Sequence, residues 1–128
     1  MKIQLEPHEA EKILHTALCN GLGELAYYSV KEDTKKEIYD SAKSRLKSNG
    51  NNIFYEDVLL EVIKHEGKLD FVEDLYEDQK HSIKLSDVHN MGDIVPVGII
   101  MAFINEEDDA DTADTLLQYL LFGEVTYG

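Results

Sequence analysis

The chain has 128 residues, 43% hydrophobic and 30% charged, enough for one core and one solvated surface in a single domain spanning residues 1–128. Twelve Lys and Arg stand against 26 Asp and Glu, a formal charge of −14, which disfavours direct binding to nucleic-acid phosphates or an anionic membrane. One cysteine, Cys19, excludes an intramolecular disulfide framework and a cysteine-rich zinc site.

Along the chain, Met1–Leu5 alternates Ile3 and Leu5 with polar residues and predicts a short edge strand. Pro7 suits the first turn of a helix. Ala10, Ile13, Leu14, Ala17, Leu18, Gly21, Leu22 and Leu25 then follow the spacing of one helical stripe. The stripe passes through Gly21 and Gly23, which predicts a weak point where another element packs closely. A second helix is expected after Asp33, with Thr34 and Glu37 as a capping box, Ile38, Ala42 and Leu46 facing inward, and Asn49-Gly50 as the stop. Phe54, Val58, Leu59, Val62 and Ile63 predict a third helix, capped by Gly67.

Leu69–Tyr76 is rich in branched and aromatic residues and reads as a strand, with a slip near Val72 that predicts a bulge. Glu77–Lys80 forms a polar turn, and His81–Leu85 alternates, so residues 68–76 and 81–85 read as a β-hairpin. Ser86 is expected to cap a short helical turn ending at Gly92. Pro96 opens a helix with Val97, Ile100, Met101 and Ile104 on one stripe and Ile99 and Phe103 beyond it, a pattern that places it at the centre of the core. After the acidic loop Asn105–Asp111, a last helix carries Ala113, Leu116, Leu117, Leu120 and Leu121, ends at Gly123, and leaves Glu124–Tyr127 as a short strand. The expected class is α+β, mostly helical, with about five helices packed on a hairpin and short terminal strands.

Charge is unevenly spread. Residues 1–64 carry 9 basic and 11 acidic side chains, residues 65–128 carry 3 and 15, and no Lys or Arg follows Lys84. No basic region followed by an apolar stretch opens the chain, and Val97–Ile104 is too short to span a bilayer, so a cytoplasmic setting is expected.

The acidic run Glu106, Glu107, Asp108 and Asp109, continued by Asp111 and Asp114, is a candidate for calcium. Counted from Asp109, however, the fifth and sixth positions are Ala113 and Asp114, which breaks the calcium-loop pattern. Asp111 or Thr112 as a helix cap accounts for the acidity instead. Glu11, His15 and Cys19 recur at helical spacing and could begin a zinc site, but a competent site needs further ligands. His65, His81 and His89 fall in segments expected to be neighbours. Cys19 lies within the apolar helix and reads as a small buried thiol. Asn20-Gly21-Leu22-Gly23 lacks the third glycine and the lysine of a phosphate loop, and no nucleophile elbow is present. No catalytic, cofactor-binding or metal-binding residue is assigned, and no cofactor is implied.

The C-terminal residues 105–128, with their polar-acidic loop, Thr-Ala-Asp helix start and Phe-Gly-Glu-Val-Thr-Tyr-Gly ending, resemble small uncharacterised proteins of tailed bacteriophages, including marine ones. Leu85-Ser86-Asp87-Val88-His89 extends the likeness. The resemblance implies a phage setting, hence host cytoplasm, and implies no site.

The expectation is therefore a non-enzymatic accessory protein that binds another protein, basic in charge, or self-assembles as a homodimer. Its contact surface would combine the acidic C-terminal half with some of Tyr27, Tyr28, Tyr39, Tyr55, Tyr76, Tyr119 and Tyr127. Two alternatives remain open: an acidic nucleic-acid mimic that occupies the basic groove of a host DNA-binding or defence protein, and a small enzyme or ligand-binding domain whose site is assembled from distant residues.

Overall fold

The apolar stripe of the first helix closes on the rest of the chain in the computed structural model, which describes residues 3–47, 52–74 and 79–128. Among the described residues there are six α-helices and three strands: α1 Pro7–Tyr27, β1 Val30–Glu32, α2 Lys36–Lys47, α3 Tyr55–Glu66, β2 Lys68–Glu73, β3 Gln79–Lys84, α4 Leu85–His89, α5 Val97–Ile104 and α6 Ala110–Phe122, with a 3-10 turn at Met91–Asp93 between α4 and α5. The architecture is α+β and mostly helical. No described helix is long and apolar enough to cross a membrane.

Helix α1 starts at Pro7, and the Glu6 N–H donates to Glu9 Oε1 at 3.1 Å. Ala10, Ile13, Leu14, Ala17, Leu18, Gly21 and Leu25 are its buried residues. The two glycines differ. A Cβ at Gly21 would lie 2.9 Å from the carbonyl carbon of Ala113 and 2.9 Å from Leu117 Cδ1, so α6 packs directly on the α1 backbone there. A Cβ at Gly23 would meet nothing within 4 Å. The chain leaves α1 through Ser29, whose φ of 64° turns it sharply into β1.

The sheet has the order β1-β2-β3, antiparallel throughout. Strand β1 is an addition to the expected hairpin: three residues are too few to show an alternation, and pairing with β2 creates the strand. The expected bulge is absent, because β2 and β3 pair without interruption from Lys68–Lys84 to Glu73–Gln79. The slip near Val72 arises because the inward position after Leu69 and Phe71 is taken by a glutamate, Glu73. Gln79 and Lys80 belong to β3 rather than to the turn. The remainder of the expected strand end and turn, Leu75–Asp78, and the stop at Asn49-Gly50 lie outside the described residues.

Neither expected terminal strand forms among the described residues, which leave out Met1 and Lys2. Residues 3–6 carry no strand, and the Ile3 carbonyl lies so close to Gly92 that a Cβ there would sit 1.8 Å from its oxygen. Residues 123–128 run without strand pairing. The Thr34–Glu37 capping box is also not made: the Thr34 N–H donates to Glu32 Oε1 at 2.7 Å, the Thr34 hydroxyl is buried without a partner, and α2 begins at Lys36. Gly67 does cap α3, with φ of 82° and its N–H on the Ile63 carbonyl. The short turn after β3 runs as α4 from Leu85, with Ser86 inside it rather than capping it.

The helix after Pro96 does not take the central place expected of it. Helix α6 is the enclosed one, burying Ala113, Asp114, Leu116, Leu117, Gln118, Leu120 and Leu121. Helix α5 sits at the rim, with only Ile100 and Phe103 buried. Its eight residues have a length of about 12 Å and pack on α6 and α1.

The paired glycines make a stability prediction. Gly23→Ala is expected to raise unfolding free energy by about 0.5–1 kcal/mol, the helix-interior difference between the two residues. Gly21→Ala is expected to lower it, because backbone atoms of α6 must move. Denaturant unfolding of both variants checks the opposite signs.

Candidate functional site

The strand register carries Glu73 to the inward face of β2, in line with Leu69 and Phe71, where it is only 5% exposed. A carboxylate so placed is costly unless its oxygens accept hydrogen bonds. Both do. In the tautomer that carries its proton on Nε2, His81 donates to Glu73 Oε2, the two atoms lying 2.5 Å apart. The Tyr127 hydroxyl donates to Glu73 Oε1. Aromatic rings enclose the group: His81 stands edge-on to Phe122 at 4.7 Å, and Tyr127 stacks on Tyr28 at 5.4 Å. An open cleft between β3, the end of α6 and the C-terminal tail exposes the edge of this cluster.

The tail is positioned by a side chain acting as backbone. Gln118, fully buried in α6, accepts from the N–H groups of Thr126 and Tyr127 through Oε1, each at 2.8 Å. Its Nε2 donates to the Tyr127 carbonyl at 2.8 Å and to Asp114 at 3.1 Å. These bonds take the place of the strand ladder expected for residues 124–127. Burial pushes the Asp114 carboxyl above its ordinary range, with Gln118 opposing the rise and Glu24 and Asp111 adding to it.

Chemically, the arrangement orients His81 through Glu73 and fastens the tail through Tyr127. A Glu–His pair is a familiar acid–base element. Here, though, both carboxylate oxygens are occupied by groups of this chain.

The sequence candidates fall apart in space. His15 pairs with Asp57 at 2.6 Å, His65 with Glu66 at 2.9 Å and His89 with Glu11 at 2.8 Å, so the three expected neighbours His65, His81 and His89 each face a different carboxylate. Glu11 thus turns to His89, away from Cys19. Cys19 is exposed, not buried, because it falls beside the stripe made by Ala17 and Leu18. Partial burial and the charge of Glu56 raise its thiol pKa, which disfavours the thiolate. Among the described residues no group of three or more His, Cys, Asp or Glu could hold a metal ion.

In the acidic run the cap is Asp109, which accepts from the Thr112 N–H and hydroxyl, each at 2.8 Å, and not Asp111 or Thr112. Those bonds hold the Asp109 carboxyl below its ordinary range. Asp108 accepts from Asn20 Nδ2 at 3.4 Å, and Asp114 is buried with Gln118. Of the tyrosines, Tyr27 is 84% exposed at the end of α1. Tyr55 is partly exposed, and its hydroxyl donates to Glu32; burial first, then this bond, pushes its pKa well above the ordinary phenol range. Tyr28, Tyr39, Tyr119 and Tyr127 pack against the core, and Tyr76 lies outside the described residues.

A second surface was hidden in the pattern that suggested a core helix. Val97, Met101 and Ile104 form one stripe on α5, with Val97 37% and Ile104 44% exposed. Beside it runs a groove between α1 and α5, floored by Ile13, Phe103 and Ile104. The one legible signal was the absence of any polar residue in Val97–Ile104, which marks either burial or a contact face. No family model, curated protein or solved structure matches this chain.

Two measurements test the buried network. Tyr127→Phe removes one donor from a buried carboxylate and is expected to cost about 1–3 kcal/mol of unfolding free energy, read by denaturant titration. For Asp114, a raised native pKa means that its contribution to stability is fullest below its ordinary value of 3.8 and is lost as pH rises through the raised value. Asp114→Asn is expected to flatten that part of the stability–pH profile and to leave the neutral-pH protein at least as stable.

Proposed function

We propose that this chain is an accessory protein that works by contact with another protein, and that the apolar face of α5 makes the contact. The observation that carries the reading is a helix without a polar side chain that leaves Val97 and Ile104 exposed on a chain of charge −14. Exposed apolar stripes rimmed by polar residues mark interaction surfaces. Acidic surroundings speed the encounter with a basic partner and discourage indiscriminate association. The bacteriophage setting implied by residues 105–128 belongs to the same proposal, as does action in a host cytoplasm.

The small-ligand alternative draws on the Glu73–His81 pair, in which Glu73 Oε1 also accepts from the Tyr127 hydroxyl of the tail. The nucleic-acid mimic draws on overall charge. Two of the four carboxylates in Glu106–Asp109 are already engaged, Asp109 as a helix cap and Asp108 with Asn20.

Ile104→Glu tests the reading. It places a charge on a half-covered position at the end of α5 and is expected to cost about 1 kcal/mol of stability, with thermal melting checking that the variant stays folded. Proteins captured from bacterial lysate by the parent chain should be lost from the variant. Identical capture by both, or release of every captured protein by added DNA, would remove the basis for the proposal.

A further inference from the structure

Resting on the reading of α5 as a contact surface, we infer that its occupant is a basic amphipathic helix of a partner protein, laid along the groove between α1 and α5. Val97, Met101 and Ile104 stand at positions i, i+4 and i+7, a stripe about 10 Å long at 1.5 Å per residue. That length matches two turns of a docked helix. The stripe presents side chains rather than a free sheet edge, so an extended peptide would find no ladder to join, whereas a helix brings its backbone bonds already made.

Charge decides between a basic helix and a second copy. Glu9, Glu106 and Asp108 line the groove together with His8 and Lys12. Glu107 follows immediately, and no Lys or Arg occurs after Lys84. Glu106, Glu107 and Asp108 stand in the turn that joins α5 to α6. They are held there by the backbone. Glu106 takes a φ of 58°, and the Glu107 N–H donates to the Ala102 carbonyl at 2.8 Å, folding the chain back against α5. Asn20 tethers Asp108 from the side of α1. A second copy carries the same net charge of −14 and is repelled on approach; a helix with Leu on one side and Lys on the other meets Ile13, Phe103 and Ile104 together with Glu9, Glu106 and Asp108.

The test uses a fluorescent synthetic peptide of Leu and Lys, about 18 residues and so about five turns long, arranged as an amphipathic helix. Controls are the same composition scrambled and a Leu/Glu amphipathic helix. The amphipathic basic peptide is expected to bind at least about tenfold more tightly than either control, with methyl NMR shifts at Ile13, Met101 and Ile104. Ile104→Glu separates docking from charge attraction. It adds a negative charge, so simple attraction would strengthen binding, while docking predicts a loss of about tenfold.

Equal or tighter binding to Ile104→Glu, equal binding of the scrambled peptide, or no binding overturns the inference. Sedimentation of the parent and the variant shows whether the underlying reading survives such a failure. A parent dimer abolished by Ile104→Glu keeps α5 as a contact surface but makes a second copy the occupant. Monomers throughout, together with unchanged lysate capture, remove both.

Discussion

Helix α1 can lie against α6 because position 21 carries no side chain. The Ala113 carbonyl carbon and the Asp114 nitrogen occupy the space that a Cβ would need, at 2.9 and 3.0 Å. This contact seats α6 deeply enough to bury residues on almost every side of it, and most of the remaining architecture follows. Helix α5, which precedes α6 in the chain, is left at the rim. The C-terminal end of α6 reaches the sheet, where Phe122 meets the ring of His81.

Deep burial of α6 also takes Asp114 and Gln118 out of solvent. Buried polar groups must find partners within the protein, and here those partners define the chain terminus. Gln118 uses its amide as a substitute strand, and the tail it holds delivers Tyr127 to Glu73. The inward glutamate of β2, the histidine of β3 and the tyrosine of the tail are thus interdependent. Each alone would be a poorly satisfied polar group in or beside the core. Together they close the structure at the end of the sheet.

Elsewhere the surface divides by chemistry. Four of the five histidines, His15, His65, His81 and His89, each pair with a different carboxylate, which disperses them instead of assembling a site. Acidic side chains near α6 are partly spent on capping and tethering. Within this solvated coat the uncharged stripe of α5 runs beside a groove where Ile13, Phe103 and Ile104 meet the charged side chains of Glu9, Lys12, Glu106 and Asp108.

Sequence alone determined what depends on neighbours within a few residues. The stripe of α1, Pro7 at its start, Gly67 and Gly123 as left-handed caps, and the pairing of the hairpin all rest on local periodicity and turn chemistry, and all form. Local signals failed where a distant element competed. Thr34 lost its capping role while its N–H was taken by Glu32, and Val30–Glu32 became a strand only because β2 offered an edge. Glu124–Tyr127 alternates like a strand but is bonded by the side chain of Gln118.

Of the candidate site, the sequence grouped His81 with His65 and His89, listed Tyr127 only among the tyrosines and did not single out Glu73, since nothing local marks residues 54 positions apart as partners. For α5 the composition announced an apolar helix, yet composition cannot distinguish a helix covered on all sides from one covered on one. Only the tertiary packing decided that, because α6 takes the close contact with α1 and leaves Val97 and Ile104 of α5 exposed.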